Sequence, residues 1–412
     1  MKTAYIATVG TGDAAKGSIV EALSLSAGQM GPGFVLLLTT DASADNAKAI
    51  IEQLQRTDRD SRVHVLAAAP EHAERLYQET VDAIATSLRE QSIDPENATA
   101  DLTSGTKPMS AALTMAAVKL GLGYLRYVAV QKTAAHEVCA GTEEMRTFRP
   151  AGFRASLLLD SAEALMRQYR FDAVRLLLAD MPEHLLSDTD MATRNCLLCL
   201  ADAYSHWDLF RHIQFKAAYD KARFGVETRL QAFEASDATV SAVMQLGQGL
   251  HSGRLNDLAV VDLINNARRR IEEGKFDDAT ARLYRACEML AQWQLSTKGI
   301  ATDNVDLTKV PAGSKTWLER CRSGPKREIQ LGLHKSYQLL NEMDVGLGPA
   351  FLKDTALAAV LRDRNYSILA HGTKPVAKEA CGKLLNCVED LAKTAVADYE
   401  AKSALLRFPW SR

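Results

Sequence analysis

The sequence predicts a two-part fold, with a mixed α/β region at the N-terminus and helices throughout the rest of the chain. In the first third, short apolar runs alternate with helical stretches, whereas strand patterns disappear from Ala151 onward. Such alternation with short connections is typical of a mostly parallel, doubly wound sheet. We therefore expect a Rossmann-like α/β domain over residues 1–150, a helical connector over 151–260 and a helical C-terminal domain over 261–412.

The composition is typical of an ordinary cytoplasmic protein. The 412 residues carry a net charge of −2, with 47% hydrophobic and 24% charged side chains, so any RNA contact requires a local basic patch. We find no apolar run of membrane-spanning length and no signal-peptide core. The seven cysteines are odd in number and scattered, which does not predict a disulfide framework. Cys196 and Cys199 lie among leucines, which favours core thiols and leaves a metal site as the alternative.

The α/β region is predicted to contain five strands and a closing hairpin. Its helices are expected near 14–27, 43–56, 71–90 and 109–120. Sheets of this class bind ligands at the carboxyl ends of their strands. The predicted strands are Tyr5–Val9, Phe34–Thr39, Val63–Ala67, Ala98–Leu102 and Tyr124–Val130, and the hairpin consists of Glu137–Cys139 and Met145–Phe148.

Two strand ends carry loops that suit a ligand. The segment Val9–Asp13 contains two glycines that let backbone amides approach a ligand, although it is neither a full dinucleotide fingerprint nor a Walker loop. The segment Asp101–Ser110 leads into a helix predicted to begin at Pro108. Its amides, hydroxyls and the Lys107 ammonium suit an anion, whereas the alternative is a turn whose Ser and Thr only cap the helix. We favour the ligand, because a lysine at a helix N-terminus is unfavourable unless it faces an anion.

The motif Asp-x-Thr-Ser-Gly-Thr-Lys-Pro-Met over Asp101–Met109 resembles that of the CARF domain, which senses cyclic oligoadenylates in type III CRISPR systems. The resemblance implies a homodimer in which two such loops form one pocket for a symmetric ring, an arrangement that suits an isologous interface. It implies an allosteric activator, with four adenylates favoured by family tendency and six next, and no cofactor. The pocket residues that it implies are Gly10, Thr11, Gly12, Thr103, Ser104, Gly105, Thr106 and Lys107.

The middle of the chain is predicted to be a helical spacer. Tyr169–Ala173 recurs in looser form as Gly274–Ala279, which suggests a helical-hairpin repeat but gives too few copies for a solenoid. Arg268–Arg270 is interpreted as a solvated face rather than an RNA contact. A second basic cluster lies in a predicted loop, and its role toward RNA is left open; it consists of Arg320, Arg322, Lys326 and Arg327.

One helix near the C-terminus carries an arginine and a histidine at a suggestive spacing. It is predicted to begin near Asp354 and to end at Gly372, which Pro375 follows as a further stop signal. Arg364 and His371 would then share a face, about 20° apart around the axis and about 10 Å along it. Imidazole transfers protons near neutral pH and guanidinium holds phosphate oxygens, so the pair suits a phosphodiester substrate, although a solvated face would have the same spacing.

Arg364-Asn365, five mostly apolar residues and His371-Gly372 together resemble the Arg-x(4–6)-His motif of HEPN ribonucleases. The resemblance implies that Arg364 and His371 are the catalytic pair and that Asn365 supports them, at a composite site where two protomers meet. His371 would assist attack of a ribose 2′-hydroxyl without a metal, and Arg364 would stabilise the developing charge. The implied substrate is single-stranded RNA, cut to a 2′,3′-cyclic phosphate and a 5′-hydroxyl, and DNA is spared. A final helix is expected over Val376–Leu406.

The two resemblances together imply a homodimeric ribonuclease of CRISPR defence that a cyclic oligoadenylate activates. A second hypothesis is that the hydroxyls and Lys107 of the sensor loops also cleave the activator slowly. A third is a catalytically inactive, ligand-responsive regulator or scaffold. The presence of both Arg364 and His371 argues against the third hypothesis.

Overall fold

The structure is a computed structural model, and contacts between Cα atoms divide it into two compact units. One unit comprises Met1–Asp160 with Met181–Met191, and the other comprises Ser161–Asp180 with Ala192–Arg412. The division into three domains therefore remains a prediction. No helix within the described part of the chain is long and apolar enough to cross a membrane. The structure describes residues 2–12, 19–57, 60–68, 72–129, 144–179, 181, 183, 186–323, 328–364, 368 and 372–411, except 224–227.

The first unit is built on a six-stranded sheet. The strands are β1 (Ala4–Thr8), β2 (Phe34–Thr39), β3 (Ser61–Val65), β4 (Ala98–Asp101), β5 (Tyr124–Ala129) and β6 (Glu144–Phe148). Their order across the sheet is β3-β2-β1-β4-β5-β6; the first five are parallel and β6 runs antiparallel to β5. The helices between them are α1 (Ile19–Met30), α2 (Ala44–Gln53), α3 (Ala73–Glu90) and α4 (Lys107–Leu120).

Alternation of side chains along β1 places helices on both faces of this sheet. Ala4 and Ile6 belong to a buried cluster with apolar residues of α3 and α4. Tyr5 and Ala7 belong to a second cluster with residues of α1 and α2. Each large apolar side chain buried in these layers contributes about 1.5–3 kcal/mol relative to exposure. The predicted doubly wound sheet is therefore confirmed.

One strand of the predicted closing hairpin is present in the described residues. The strand predicted at Met145–Phe148 is present as β6, and it pairs with β5, so that Leu125 lies opposite Phe148. The other predicted hairpin strand, Glu137–Cys139, lies outside the described residues.

From Ala151 onward the described chain is helical apart from a short antiparallel ribbon of β7 (Arg322–Ser323) and β8 (Glu328–Ile329). The helix α11 packs against α10, α13 and α16 and buries Leu283 and Leu290. The helices are α5 (Ala151–Arg167), α6 (Phe171–Ala179), α7 (Asp188–Asp208), α8 (His212–Arg223), α9 (Asp237–His251), α10 (Asp257–Glu272), α11 (Phe276–Thr297), α12 (Lys315–Glu319), α13 (Leu333–Glu342), α14 (Leu347–Lys353), α15 (Thr355–Arg364), α16 (Lys378–Lys393) and α17 (Tyr399–Leu405).

The three arginines of α10 are not a solvated face, so that prediction is wrong. Arg269 and Arg270 are only 2% and 8% exposed. Both donate to the buried Asp208, from Arg269 Nε at 2.8 Å and from Arg270 Nη2 at 2.7 Å. Arg268 forms an ion pair with Glu389. The run is buried because α10 packs against α9, α11, α16 and α17, and its charges find partners inside the unit.

The final helix predicted over Val376–Leu406 is also wrong, because the structure divides it. The helix α16 ends at Lys393, and α17 begins at Tyr399. Asp398 precedes α17 with φ = +54°, a left-handed conformation that a continuous α-helix excludes.

The Cys-x-x-Cys segment lies in α7. Cys196 is buried, and Cys199 is partly buried. Burial raises the pKa of the Cys199 thiol, and the negative charge of Asp202 raises it further. Within the described ranges, no group of three or more His, Cys, Asp or Glu side chains is arranged to hold a metal ion.

Candidate functional site

The ends of β1 and β4 lie side by side where the strand order of the sheet reverses. Ala7 of β1 is in register with Asp101 of β4. The helix α1, which follows β1, packs on one face of the sheet, and α4, which follows β4, packs on the other. A crevice therefore opens beyond the two strand ends, and this is the position at which doubly wound sheets bind ligands. Both loops singled out from the sequence lie there.

Ser104 joins these two loops. Its hydroxyl accepts the Gly10 N–H at 3.0 Å, and the Thr8 hydroxyl donates to the Ser104 carbonyl oxygen. The Ser104 side chain is buried. Ser104 therefore links the two loops through both its hydroxyl and its carbonyl oxygen.

Gly105 is required by both its conformation and its neighbours. Its φ is +103°, a value that favours glycine. A Cβ atom at Gly105 would lie 2.7 Å from Thr8 Oγ1 and 2.9 Å from Thr8 Cβ. A Cβ atom at Gly10 would lie 3.2 Å from the Gly105 amide nitrogen, so the two loops approach backbone to backbone.

Asp101 organises the end of β4 from within the core. It is fully buried and accepts hydrogen bonds from the Tyr5 hydroxyl at 2.8 Å, the Thr103 N–H at 2.8 Å and the Ser26 hydroxyl. Burial raises the pKa of the Tyr5 hydroxyl well above its usual value, and the charge of Asp101 raises it further. The Thr103 hydroxyl accepts the Val128 N–H at 2.9 Å, so Thr103 also fixes the loop against β5.

The exposed polar groups of the crevice come from the rims of the two loops. Thr106 is the N-cap of α4, and its hydroxyl accepts the Met109 N–H at 3.4 Å. Lys107, not Pro108, is the first residue of α4; it is exposed and forms no ion pair with any residue that the structure describes. Thr11 and Gly12 are also exposed. Capping and ligand binding are therefore compatible here, since Thr106 caps the helix while Lys107 stays available to an anion.

The predicted catalytic motif begins at the end of α15. The Asp354 carboxylate accepts the Leu357 N–H at 2.8 Å and so caps this helix, whose Leu357 is buried. Arg364 is the last residue of α15. The other two predicted catalytic residues, Asn365 and His371, lie outside the described residues.

The prediction that this helix continues to Gly372 is wrong, because the helix is interrupted at Ile368. This residue lies in a turn, and its N–H donates forward to the Lys374 carbonyl oxygen at 3.2 Å. A continuing α-helix would instead direct that N–H back to the carbonyl oxygen of Arg364. The continuous helix on which the predicted shared face of Arg364 and His371 depends is therefore interrupted at Ile368.

Asp277 holds the chain just beyond this motif. Both of its carboxylate oxygens accept the Val376 N–H, each at 3.2 Å. Asp277 lies in the first turn of α11, where the helix N-terminus stabilises a carboxylate. Sequence reasoning missed this contact because the two residues are 99 positions apart, and no local pattern connects them.

Comparison with protein families identifies the C-terminal helices. A family model described as the Csm6 HEPN domain matches residues 256–395, which begin just before α10 and end just after α16. Residues 256–395 are therefore similar to the HEPN domain of Csm6. Arg364, Asn365 and His371 all lie within this range.

The fold of the whole chain is similar to that of a solved Csm6. The matching structure is described as Enterococcus italicus Csm6 bound to cyclic hexa-2′-fluoro-hexa-dAMP, with a TM-score of 0.57 and 98% of each chain covered. The two sequences are 11% identical, so this likeness concerns the fold. A comparison with curated proteins finds no match. The predicted fold, an N-terminal α/β domain with a C-terminal helical HEPN domain, is confirmed.

Proposed function

We propose that this chain is a ribonuclease of CRISPR defence that a cyclic oligoadenylate activates. The observation that carries the proposal is the Csm6-type HEPN domain over residues 256–395, which contains the Arg364-Asn365 and His371 motif. The braced loops at the switch point of the α/β sheet support a sensor role for the first unit. The solved Csm6 with the same fold carries a cyclic hexa-adenylate analogue.

The proposed reaction is metal-independent cleavage of single-stranded RNA. His371 takes the proton of a ribose 2′-hydroxyl as that oxygen attacks the adjacent phosphorus, the bond from phosphorus to the 5′-oxygen breaks, and the 5′-oxygen takes a proton from water. Arg364 stabilises the charge that develops on the phosphate oxygens, and Asn365 supports the pair. The products are a 2′,3′-cyclic phosphate and a 5′-hydroxyl. DNA is not cut, because it lacks the attacking hydroxyl.

The proposed sensor uses the rims of the two strand-end loops. Lys107 and the hydroxyls of Thr11 and Thr106 are exposed, so they are the groups that contact phosphates and riboses. Gly10, Thr103, Ser104 and Gly105 fix the conformation of the loops behind these groups. In a homodimer, two copies of this surface would face one ring, and the active site would be composite in the same way.

The solved Csm6 changes the order of the candidate activators. Family tendency alone favours four adenylates, whereas the ligand of the similar structure is a ring of six nucleotides. We therefore place cyclic hexa-adenylate first and cyclic tetra-adenylate second.

The deciding experiment is fluorogenic RNA cleavage in EDTA with cyclic tri-, tetra- and hexa-adenylate supplied separately. We expect one ring to activate cleavage strongly, and the His371→Ala protein to stay inactive with every ring. If none of the three rings activates RNA cleavage, the proposal that a cyclic oligoadenylate is the activator is contradicted. Cleavage that requires added Mg²⁺ would contradict the metal-independent chemistry while leaving the sensor intact.

A finer part of the proposal is that the first unit slowly cleaves its own activator. The hydroxyls and Lys107 beside a cyclic phosphodiester are groups that can stabilise its transition state. The test incubates labelled activator with His371→Ala protein for many hours. An intact ring would show that the sensor lacks this activity.

A further inference from the structure

The second unit contains a charged cleft that neither proposed site uses. Its volume is about 500 Å³, within the usual range of about 300–1,000 Å³ for small-ligand sites. Side chains from the turns α5–α6, α7–α8 and α10–α11 line it, among them Arg170, Arg211 and Lys275. All the lining residues belong to the second unit, whereas the strand-end loops belong to the first.

The three turns share one pattern. In each, a residue with positive φ is followed by a basic residue and then by the first residue of a helix, at φ values of +60° for Tyr169, +59° for Phe210 and +74° for Gly274. The turns are Tyr169-Arg170-Phe171, Phe210-Arg211-His212 and Gly274-Lys275-Phe276, which open α6, α8 and α11. Sequence reasoning found the first and third copies and missed the second.

This pattern places three cations at positions that are electrostatically unfavourable. A positive side chain before a helix opposes the helix dipole by about 0.3–1 kcal/mol. Arg170, Arg211 and Lys275 all occupy such positions and all line the same cleft. An anion in the cleft would remove the conflict for all three together.

The carboxylates of the cleft neutralise these cations only in part. Glu273 is nearly buried, and three cations share it: Arg270 at 2.9 Å, Lys275 at 2.8 Å and Arg170 at 3.8 Å. Asp208 already pairs with both Arg269 and Arg270. The remaining acidic residues of the cleft, Asp172 and Asp202, pair with Arg175.

One cation of the cleft has no carboxylate partner among the described residues. This cation is Arg211, which is exposed. Arg170 and Lys275, whose side chains are 48% and 42% exposed, can also turn toward a ligand. The cleft therefore has a surplus of cationic donors that a ligand with several anionic oxygens would satisfy.

We infer that this cleft is a binding site for phosphate groups, either of a free polyphosphate or nucleotide or of an RNA strand. Arg170, Arg211 and Lys275 contact the phosphate oxygens, and Glu273 holds Arg170, Arg270 and Lys275 together. The inference does not depend on ribonuclease activity, since it concerns binding alone.

The test is titration calorimetry on the full chain carrying Lys107→Ala, which removes the principal cation of the strand-end loops. The probe is inorganic tripolyphosphate at low salt. We expect saturable binding, weakened about tenfold by Arg211→Ala, since a charged hydrogen bond is worth roughly 1.5–3 kcal/mol. Arg211→Lys keeps a cation and should retain most of the affinity. Arg254→Ala is the matched control, since this exposed arginine of the same unit does not line the cleft.

A competition arm separates the two sources of phosphate. An oligodeoxyadenylate, which cannot be cleaved, is added to the tripolyphosphate complex. Displacement that is lost in Arg211→Ala protein assigns the cleft to a nucleic-acid strand. Tripolyphosphate binding without such displacement assigns it to a free polyphosphate or nucleotide.

Two results would overturn the inference. One is the absence of saturable tripolyphosphate binding, and the other is an equal Kd for Arg211→Ala and Arg254→Ala proteins. If Arg211→Ala lowers the Tm and so confuses the comparison, Lys275→Ala provides the second variant. An unchanged Kd in that protein would overturn the inference equally.

Discussion

The strand-end loops of the first unit and the Arg364 motif of the HEPN domain are held in place by different kinds of contact. The two loops touch each other backbone to backbone, with Ser104 bonded to Gly10 and Gly105 packed on Thr8. The described flanks of the motif instead depend on the end of α15 and on the bond from Val376 to Asp277 in α11. Both motifs are recognisable from sequence because their residues are close together in the chain, whereas the contacts that hold them join residues 94 and 99 positions apart and are not.

The largest expected effect tests the HEPN side of this comparison. His371→Ala should lower RNA cleavage at least about a hundredfold, because general acid–base catalysis contributes roughly 10²–10⁴. Activator affinity, measured by calorimetry, should be unchanged. Retained cleavage would remove His371 from the active site, while loss of activator binding as well would indicate a folding defect.

Gly105→Ala should break the contact between the loops. The new Cβ would meet Thr8 at 2.7 Å in a backbone conformation with φ = +103°, so we expect a loss of about 2–3 kcal/mol in the free energy of unfolding. Thermal unfolding measures this loss as a lower Tm.

The matched control for this change is Gly28→Ala. Gly28 lies within α1, and nothing lies within 4 Å of a Cβ placed there. Alanine should therefore stabilise this helix by about 0.5–1 kcal/mol. Equal Tm values for the two variants would contradict the close approach of the loops.

Lys107→Ala should separate activator binding from RNA cleavage. The loss of one charged contact to a phosphate is expected to raise the activator concentration for half-maximal cleavage about tenfold. The cleavage rate at saturating activator should stay the same. Lys119→Ala, at the other end of the same helix, is the control, and an equal effect of both changes would count against the loop.

The smallest expected effect concerns the flank of the motif. Asp277→Ala leaves the Val376 N–H without its partner, and we expect kcat to fall a few-fold while the activator affinity is kept. Asp277→Asn retains one carbonyl oxygen and should recover part of the rate. A change in KM alone would indicate that Asp277 affects substrate binding instead of the motif.

The fold of the first unit was largely predictable. The period of the apolar residues identifies β1 to β5, and the loop Asp101–Met109 identifies the crevice at their ends. The loop also contains the glycine whose conformation the structure requires. What the sequence did not reveal is that Ser104 bonds inward, because its partner Gly10 is 94 residues away.

The helical part was less predictable, because tertiary contacts override local pattern there. Arg268–Arg270 has the composition of a solvated face, yet Arg269 and Arg270 are buried against Asp208. The break at Asp398 has no glycine or proline to mark it. The end of α15 was missed for the same reason, since no breaker stands between Arg364 and Ile368.

The hydrogen bond between Gly10 and Ser104 also bears on how a ring is selected. Because the folded chain itself closes the gap between the two loops, much of the ordering that binding would otherwise require is complete beforehand. In the proposed sensor, a ligand would then meet two loops that are already fixed to each other at Gly10 and Ser104. Rings of different circumference would be discriminated by how well their phosphates match that fixed arrangement, and adding adenylates to a ring that does not match it would not improve affinity.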